Sequence, residues 1–285
     1  ITSGTAAKNH ITDVTKCMMQ ILKQCGLPVF VVRGNHDDNT YISPLDERTA
    51  ETTMFGDEFM ARAANVGNPR LVSSSQNDAN GAYYCFDFDE KKIRVIVLDD
   101  CCNYPVEYEG SYLKYSAGQA NWRGIGTAQI QWFAELLGNT NYNIILLDHM
   151  SLNDAIHPDG MSVGGYHGFD SMNGIIDAFQ NHTSYSDEVV NCDFTGKTNT
   201  IIIENSGDNH TDYGAKGTNG IVYLNTGTAS PTIGKISHYI PEGGSYQSVR
   251  TENTILEALF DFVMLNPDEM VRLRFGAGSN QVIQR

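Results

Sequence analysis

The chain has 285 residues, enough for one large α/β domain, and its 41% hydrophobic and 19% charged residues exclude a disordered polypeptide. Its 34 acidic side chains against 19 Lys and Arg leave a net charge of −15. That balance argues against a duplex nucleic-acid surface, where counterion release demands clustered cations, and is compatible with cation binding. Apolar runs such as Ile144–Leu147 are too short to span a bilayer. The six cysteines form no C-x-x-C pair, which supports neither a zinc ribbon nor, at this size, a disulfide framework.

In chain order, the first expected element is a helix. Ile11, Val14, Met18, Ile21, Leu22 and Cys25 recur on one helical face, Gly26 suits the C′ position, and Pro28 blocks continuation. Val29–Val32 is short and uniformly apolar, the pattern of a strand buried on both faces. It ends in Arg33, Gly34, Asn35, His36 and Asp37. Residues 38–80 are polar and irregular, with a helix expected around 54–64. Tyr83–Phe88 and Ile93–Leu98 read as strands joined by a charged turn over 89–92. Thr127–Leu137 is an amphipathic helix with Ile130, Phe133, Ala134 and Leu137 inward, and Gly138 ends it.

Ile144–Leu147 is a further buried strand, ending in Asp148 and His149. Residues 151–173 form a long loop rich in Gly, His and Tyr, of the kind kept for binding, and 174–179 is expected to be helical. Ile201–Ile203 is a strand running into Ser206–Asp212, and strands follow at 221–224, 260–265 and 270–275. No repeat or linker forces a boundary, so residues 1–285 read as a single domain.

Three of these apolar strands end in turns that carry metal-competent residues: Asn35 with His36, then His149, then Asp208 with His210. In an α/β sheet, ligands gather at the carboxyl ends of strands, so three ends far apart in sequence can converge. Asn35 offers a neutral carbonyl oxygen, His149 and His210 imidazole nitrogen, and Asp208 a carboxylate. Such a mixed N/O set suits Mn, Fe or Zn better than soft Cu(I) or Mg alone. Gly34 and Gly207 allow the chain to turn tightly beside the donors.

Gly34-Asn35-His36-Asp37, the later strand-end His149, and Ser206-Gly207 followed by His210 and Asp212 resemble, in order and placement, the third to fifth motifs of the calcineurin-like metallophosphoesterases, in their bacterial form. Tyr83–Asp87, Gln129–Trp132, Asn225–Gly227 and Arg274–Gly278 resemble further segments of bacterial members. The resemblance implies a four-layer α/β/β/α sandwich that hydrolyses a phosphodiester or phosphomonoester. It also implies a dinuclear site of two divalent or trivalent ions, Mn, Fe or Zn, ~3.5–4 Å apart, that activate water and clamp the phosphate. By the same resemblance Asn35 and His149 bind the second metal and His210 the first. His36 does not ligate; it contacts a phosphoryl oxygen or protonates the leaving group.

The chain departs from the family pattern at two points. Asp208 stands where the fifth motif has the first of two His; a carboxylate can still ligate, at ~2.0–2.2 Å for zinc. Nothing before Gly34 matches the first two motifs, an Asp-x-His and a Gly-Asp turn with the bridging carboxylate. Ile1–Gly4 resembles the stretch after the second, and the chain starts at Ile1 rather than Met. The expectation is therefore an N-terminal strand-helix portion missing from this sequence, or supplied as a separate fragment that completes the site. The alternative function is a degenerate phosphoesterase fold used as a binding or structural module. The expected partner is a small phosphoester, with no large nucleic acid and no membrane. The compartment stays open, with the cytoplasm ahead. Asp37 and Asp212 read as solvated turn carboxylates, and His157, Tyr166 and His167 as surface residues. His10, His182 and His238 read as structural, and Trp132 and Phe133 as core.

Overall fold

The structure, a computed structural model, describes residues 5–39, 48–61, 72–73, 81–101, 107–114, 123–152, 166–208, 212–226, 235–239, 245–249, 251, 254 and 259–285. It is a mixed α/β chain. Helix α1 spans Thr5–Lys23 and α2 Gly56–Phe59; strands β1 (Val72–Ser73), β2 (Tyr84–Phe88) and β3 (Ile93–Val97) follow. After the β4–β5 hairpin (Tyr108–Glu109, Tyr112–Leu113) come α3 (Thr127–Gly138), β6 (Asn143–Leu147), α4 (Phe169–Asn181) and the β7–β8 hairpin (Ser184–Ser186, Asn191–Asp193). The rest is strand: β9 (Ile201–Ser206), β10 (Tyr213–Lys216), β11 (Val222–Asn225), β12 (Lys235–Tyr239), β13 (Ser245–Val249), β14 (Leu259–Leu265), β15 (Glu269–Gly276) and β16 (Gln281–Gln284).

A seven-stranded sheet runs β1-β2-β3-β6-β9-β11-β10. β3, β6, β9 and β11 are mutually parallel, so their carboxyl ends share one edge. The outer strands are antiparallel. One face is covered by α3 and α4, whose Ile130, Phe133, Leu137, Met172, Ile175 and Phe179 pack with Ile96, Ile144, Leu146 and Ile201. On the other face, Ile203, Val222 and Leu224 meet Met270 of a three-stranded sheet, β14-β15-β16.

Three expectations need correction. α4 starts at Phe169, inside what reads as a long loop. Its apolar residues 169, 172, 175, 176 and 179 already carry the helical period, which Gly174 obscures. Val29–Val32 joins no ladder among the described residues. Phe30, Val31 and Val32 instead pack on Tyr84, Val95 and Val97. Val31 N–H donates to the Tyr84 hydroxyl (2.7 Å), which donates back to Val31 O (2.9 Å). Finally, the apolar stripe of α1 faces outward: Val14, Met18, Ile21 and Leu22 are exposed, whereas Lys8 and Met19 are buried.

The β14-β15-β16 sheet has an unusual polarity. The side chains of Asp261, Arg272 and Arg274 are buried and join Asp212 in a network. Arg272 and Arg274 Nε lie 2.8 and 2.6 Å from the two Asp261 oxygens, Arg274 Nη2 lies 2.7 Å from Asp212 Oδ1, and Arg272 also pairs with Asp212. Asp212 is thus a buried ion-pair partner, not a solvated turn carboxylate. Burial and the neighbouring Arg274 lower Arg272 to about 9. The opposite face holds Phe260, Phe262, Met264, Leu273, Phe275 and Val282, all exposed, with Phe260 stacked on Phe275 at 4.5 Å. No helix among the described residues is long and apolar enough to cross a membrane, and the described cysteines Cys17, Cys25, Cys85, Cys101 and Cys192 are free thiols.

The end of the unladdered segment is held by a buried ion pair, Arg33 Nη2 to Asp99 Oδ2 at 2.8 Å, with side chains 1% and 0% exposed. Removing one partner of such a pair strands the other charge, at a cost of ~3–5 kcal/mol. Asp99→Ala should lower unfolding free energy by that order in a denaturant titration. Arg33→Met combined with Asp99→Leu should cost less than Asp99→Ala alone. Equal costs would assign the loss to packing rather than to a stranded charge.

Candidate functional site

The site lies at the carboxyl edge of the parallel strands. Asp99 and Asp100 follow β3, Asp148 and His149 follow β6, and Gly207 and Asp208 follow β9. The turn Gly34–Asp37 reaches the same edge. It is closed by the Asp37 N–H donating to Gly34 O (3.1 Å) and the Gly34 N–H donating to Asp37 Oδ2 (2.8 Å). Burial pushes the Asp37 carboxyl up, so this acid too is less solvated than its position in a turn implies. A side chain at Gly34 would crowd the site: its Cβ would lie 3.0–3.2 Å from atoms of the His149 ring, which would have to shift by a few tenths of an ångström.

His149 is the hub. Its Nε2 lies 3.1 Å from Asn35 Oδ1 and 3.1 Å from Asp208 Oδ1. Its backbone is clamped on both sides. Asp100 Oδ2 accepts from the N–H groups of His149 (2.9 Å) and Met150 (2.6 Å). His149 O accepts from the N–H groups of Gly207 (3.0 Å) and Asp208 (2.8 Å). Burial disfavours the imidazolium, but the Asp208 hydrogen bond and the Asp100 and Asp37 carboxylates outweigh it and raise His149 above its ordinary 6.5. His36 is exposed beside the cluster. Partial desolvation dominates there and lowers it, with Asp37 and Asp208 pulling up and His149 and Arg123 pushing down.

The structure thus brings Asn35, His149 and Asp208 together, with His36 alongside. His210 lies outside the described residues. Among the described residues no group of three or more His, Cys, Asp or Glu side chains is arranged to hold a metal; the third donor here is an amide. The donor set nonetheless fits a cation. Two bonds of ~2.1 Å put ligand atoms ~3.0 Å apart at an octahedral angle and ~3.4 Å apart at a tetrahedral one, a range that contains the 3.1 Å separations around His149 Nε2. Of the other sequence candidates, Phe133 is buried and Trp132 packs on Tyr83 at 4.9 Å. His167 is exposed, Tyr166 is half-buried, and His157 lies outside the described residues.

Sequence reasoning passed over Asp99 and Asp100, although two acids directly after a buried strand obey the same strand-end rule as His149. It also passed over the acids behind His149. Asp148 and Glu204 are both buried and lie close enough to repel each other, and Glu204 Oε1 accepts from Ser151 Oγ (3.1 Å) and Leu152 N–H (2.9 Å). Burial, with mutual repulsion, holds Asp148 well above the carboxylate range, and burial raises Glu204 to about 7 and Asp100 to about 6.

No protein-family model matches the chain, and no curated protein matches it in sequence. Among solved structures the chain is similar to a dimetal phosphatase from Danio rerio. The TM-score is 0.55 at 12% identity, over 93% of this chain and 75% of that one. At that identity the likeness shows a shared fold.

The Asp148–Glu204 pair sets a pH dependence. The folded state keeps a proton up to about 7 that an unfolded Glu, ordinarily at 4.5, releases earlier. Its stabilising contribution is therefore full below about 4.5 and lost as pH rises through about 7, on the order of 2–3 kcal/mol. The thermal midpoint of chelator-treated protein should fall between pH 5 and pH 8, and Glu204→Gln should flatten that slope. An unchanged slope in the variant would place its source elsewhere.

Proposed function

We propose that this chain is a metal-dependent phosphoesterase acting on a small phosphodiester or phosphomonoester at a dinuclear site. The observation that carries the reading is the meeting of Asn35, His149 and Asp208, from three distant strand-end turns, with His149 Nε2 at 3.1 Å from both partners. The fold likeness to a solved dimetal phosphatase supports it. Asn35, His149 and Asp208 would hold one ion, and His210 the other. Bound Mn, Fe or Zn supplies Lewis acidity and an activated water.

The chain's own residues supply position and hydrogen bonds. Asp100 fixes the backbone that presents His149. His36, lowered and exposed, is a neutral imidazole near neutrality, suited to donate an N–H to a phosphoryl oxygen. The reading includes a four-layer arrangement. α3 and α4, the seven-stranded sheet and the three-stranded sheet form three successive layers. The apolar outer face of β14-β15-β16 and the exposed stripe of α1 have the character of surfaces that meet a fourth.

A second reading, a degenerate fold used as a binding module, is favoured by one observation. Asp208 stands where the family pattern has a His and is already approached by Arg123, at 3.5 Å.

Titration with Mn and Zn, together with hydrolysis of a simple aryl phosphodiester and monoester, separates the two. Wild type should bind metal and hydrolyse one of them; Asn35→Ala and His149→Ala should lose metal. His36→Ala should keep its metal and lose turnover by ~10²–10⁴-fold. Metal binding without hydrolysis would support the binding module, and loss of metal in His36→Ala would make His36 a ligand. Asp208→His should raise affinity for Zn relative to Mn, since imidazole suits later ions and carboxylate leans to Mn. An unchanged preference by calorimetry would remove Asp208 from the ligand set.

A further inference from the structure

Arg123 enters the site from a stretch that carries no metal-competent pattern, and two close backbone approaches set its place. Gly124 bridges both Cys101 and His167. Its N–H donates to Asp100 O, and the Ile125 N–H donates to His167 O, each at 2.8 Å. These approaches require glycine. A Cβ on Gly124 (φ +133°) would lie 2.3 Å from His167 O, and one on Gly168 (φ +79°) 2.3 Å from Ile125 O. Residues 123–125 are thereby wedged between the end of β3 and residues 166–168. Arg123 lies beside Tyr166.

The guanidinium is 15% exposed, with Nη1 3.5 Å from Asp208 Oδ2, well beyond the ~2.7–2.9 Å of a charge-assisted bond. Its Nε is buried and has no hydrogen-bond partner among the described residues. A guanidinium presents five donors in a rigid fork, and a buried donor left unmet costs free energy until an acceptor arrives. A residue built only to pair with Asp208 would bring the fork to short, two-pronged distance. The charged groups among the described residues that act most strongly on His36 are Asp37, His149, Asp208 and Arg123, and Arg123 is a permanent cation among them. An anionic guest at this acid-rich edge needs a cation that the protein itself supplies.

We infer that Arg123, placed by the Gly124 and Gly168 approaches, binds an anionic oxygen of the phosphoester. The inference rests on the phosphoesterase reading and adds to it the residue that recognises substrate charge. The geometry of the fork matches a phosphoryl group with two non-bridging oxygens.

Calorimetric titration of Mn-loaded protein with inorganic phosphate tests it, with metal content measured on the same samples. Arg123→Met should weaken phosphate by about 10–100-fold, the loss of one charge-assisted contact, at unchanged metal content. Arg123→Lys, which keeps the charge and loses the fork, should lie between the two. Unchanged phosphate affinity in Arg123→Met would overturn the inference and leave the phosphoesterase reading standing. Loss of metal in step with phosphate would also overturn it, making Arg123 a support for Asp208. If Arg123→Met does not fold, Arg123→Lys decides: a several-fold weakening supports the inference, and no change overturns it. Wild-type protein that binds Mn and no phosphate would sink both readings.

Discussion

The buried Arg33–Asp99 ion pair is the constraint on which the edge of the sheet depends. Residues 29–33 form no ladder among the described residues, so regular strand pairing does not locate the turn that carries Asn35 and His36. Asp99 does. It is itself fixed by Gln129 of α3, whose Oε1 accepts the Asp99 N–H and whose Nε2 donates to Asp99 O, each at 2.8 Å, and by the Ala82 N–H at 2.6 Å. The next residue, Asp100, clamps the backbone of His149, and His149 O in turn clamps that of Asp208. Two adjacent acids after β3 therefore set two separate turns, and the second turn sets a third. The cluster is made by side chain–backbone and backbone–backbone bonds across strand ends, and not by the local conformation of any one loop.

This explains what could be read in the sequence and what could not. The strands 93–97, 143–147 and 201–206 are apolar runs whose burial forces them into a central sheet, so their existence and the strand-end placement of His149 and Asp208 were legible. So was α3, with its inward 130, 133, 134 and 137. The role of Val29–Val32 was half legible: the run signals burial, but burial against Tyr84 and Val95 leaves the same apolar trace as burial within a ladder. α4 was hidden by Gly174, which breaks propensity but not the helical period. β15 inverts the usual expectation, since Arg272 and Arg274 alternate with apolar residues yet point inward. Only the partner acids, Asp261 on β14 and Asp212 before β10, make that burial tolerable, and no local pattern reveals a pairing across 60 residues.

The supporting acids were illegible for a related reason. Asp99, Asp148 and Glu204 look like ordinary polar residues flanking apolar strands. Their importance comes from what folding places beside them: a guanidinium for Asp99, and each other for Asp148 and Glu204. Arg123 is harder still, because its position is set by glycines 124 and 168, which allow two irregular segments to lie closer than any side chain would permit.

The electrostatics of the edge follow from this assembly. Arg33 is neutralised by Asp99, which leaves Asp37, Asp100 and Asp208 acting on one imidazole, with the buried Asp148 and Glu204 behind it. Burial raises Asp37, Asp100, Asp148 and Glu204, while the surrounding carboxylates raise His149. In both cases the protein draws positive charge, as protons, into the same field. A divalent cation at His149 Nε2 competes with that proton directly, so cation affinity must fall as the solution is acidified toward and below the raised His149 value. A cation bound there would lower the cost of bringing an anion to the same edge. Arg123 is a permanent cation among the charged groups around His36, so an anionic guest would meet one fixed positive charge at an edge otherwise rich in acids.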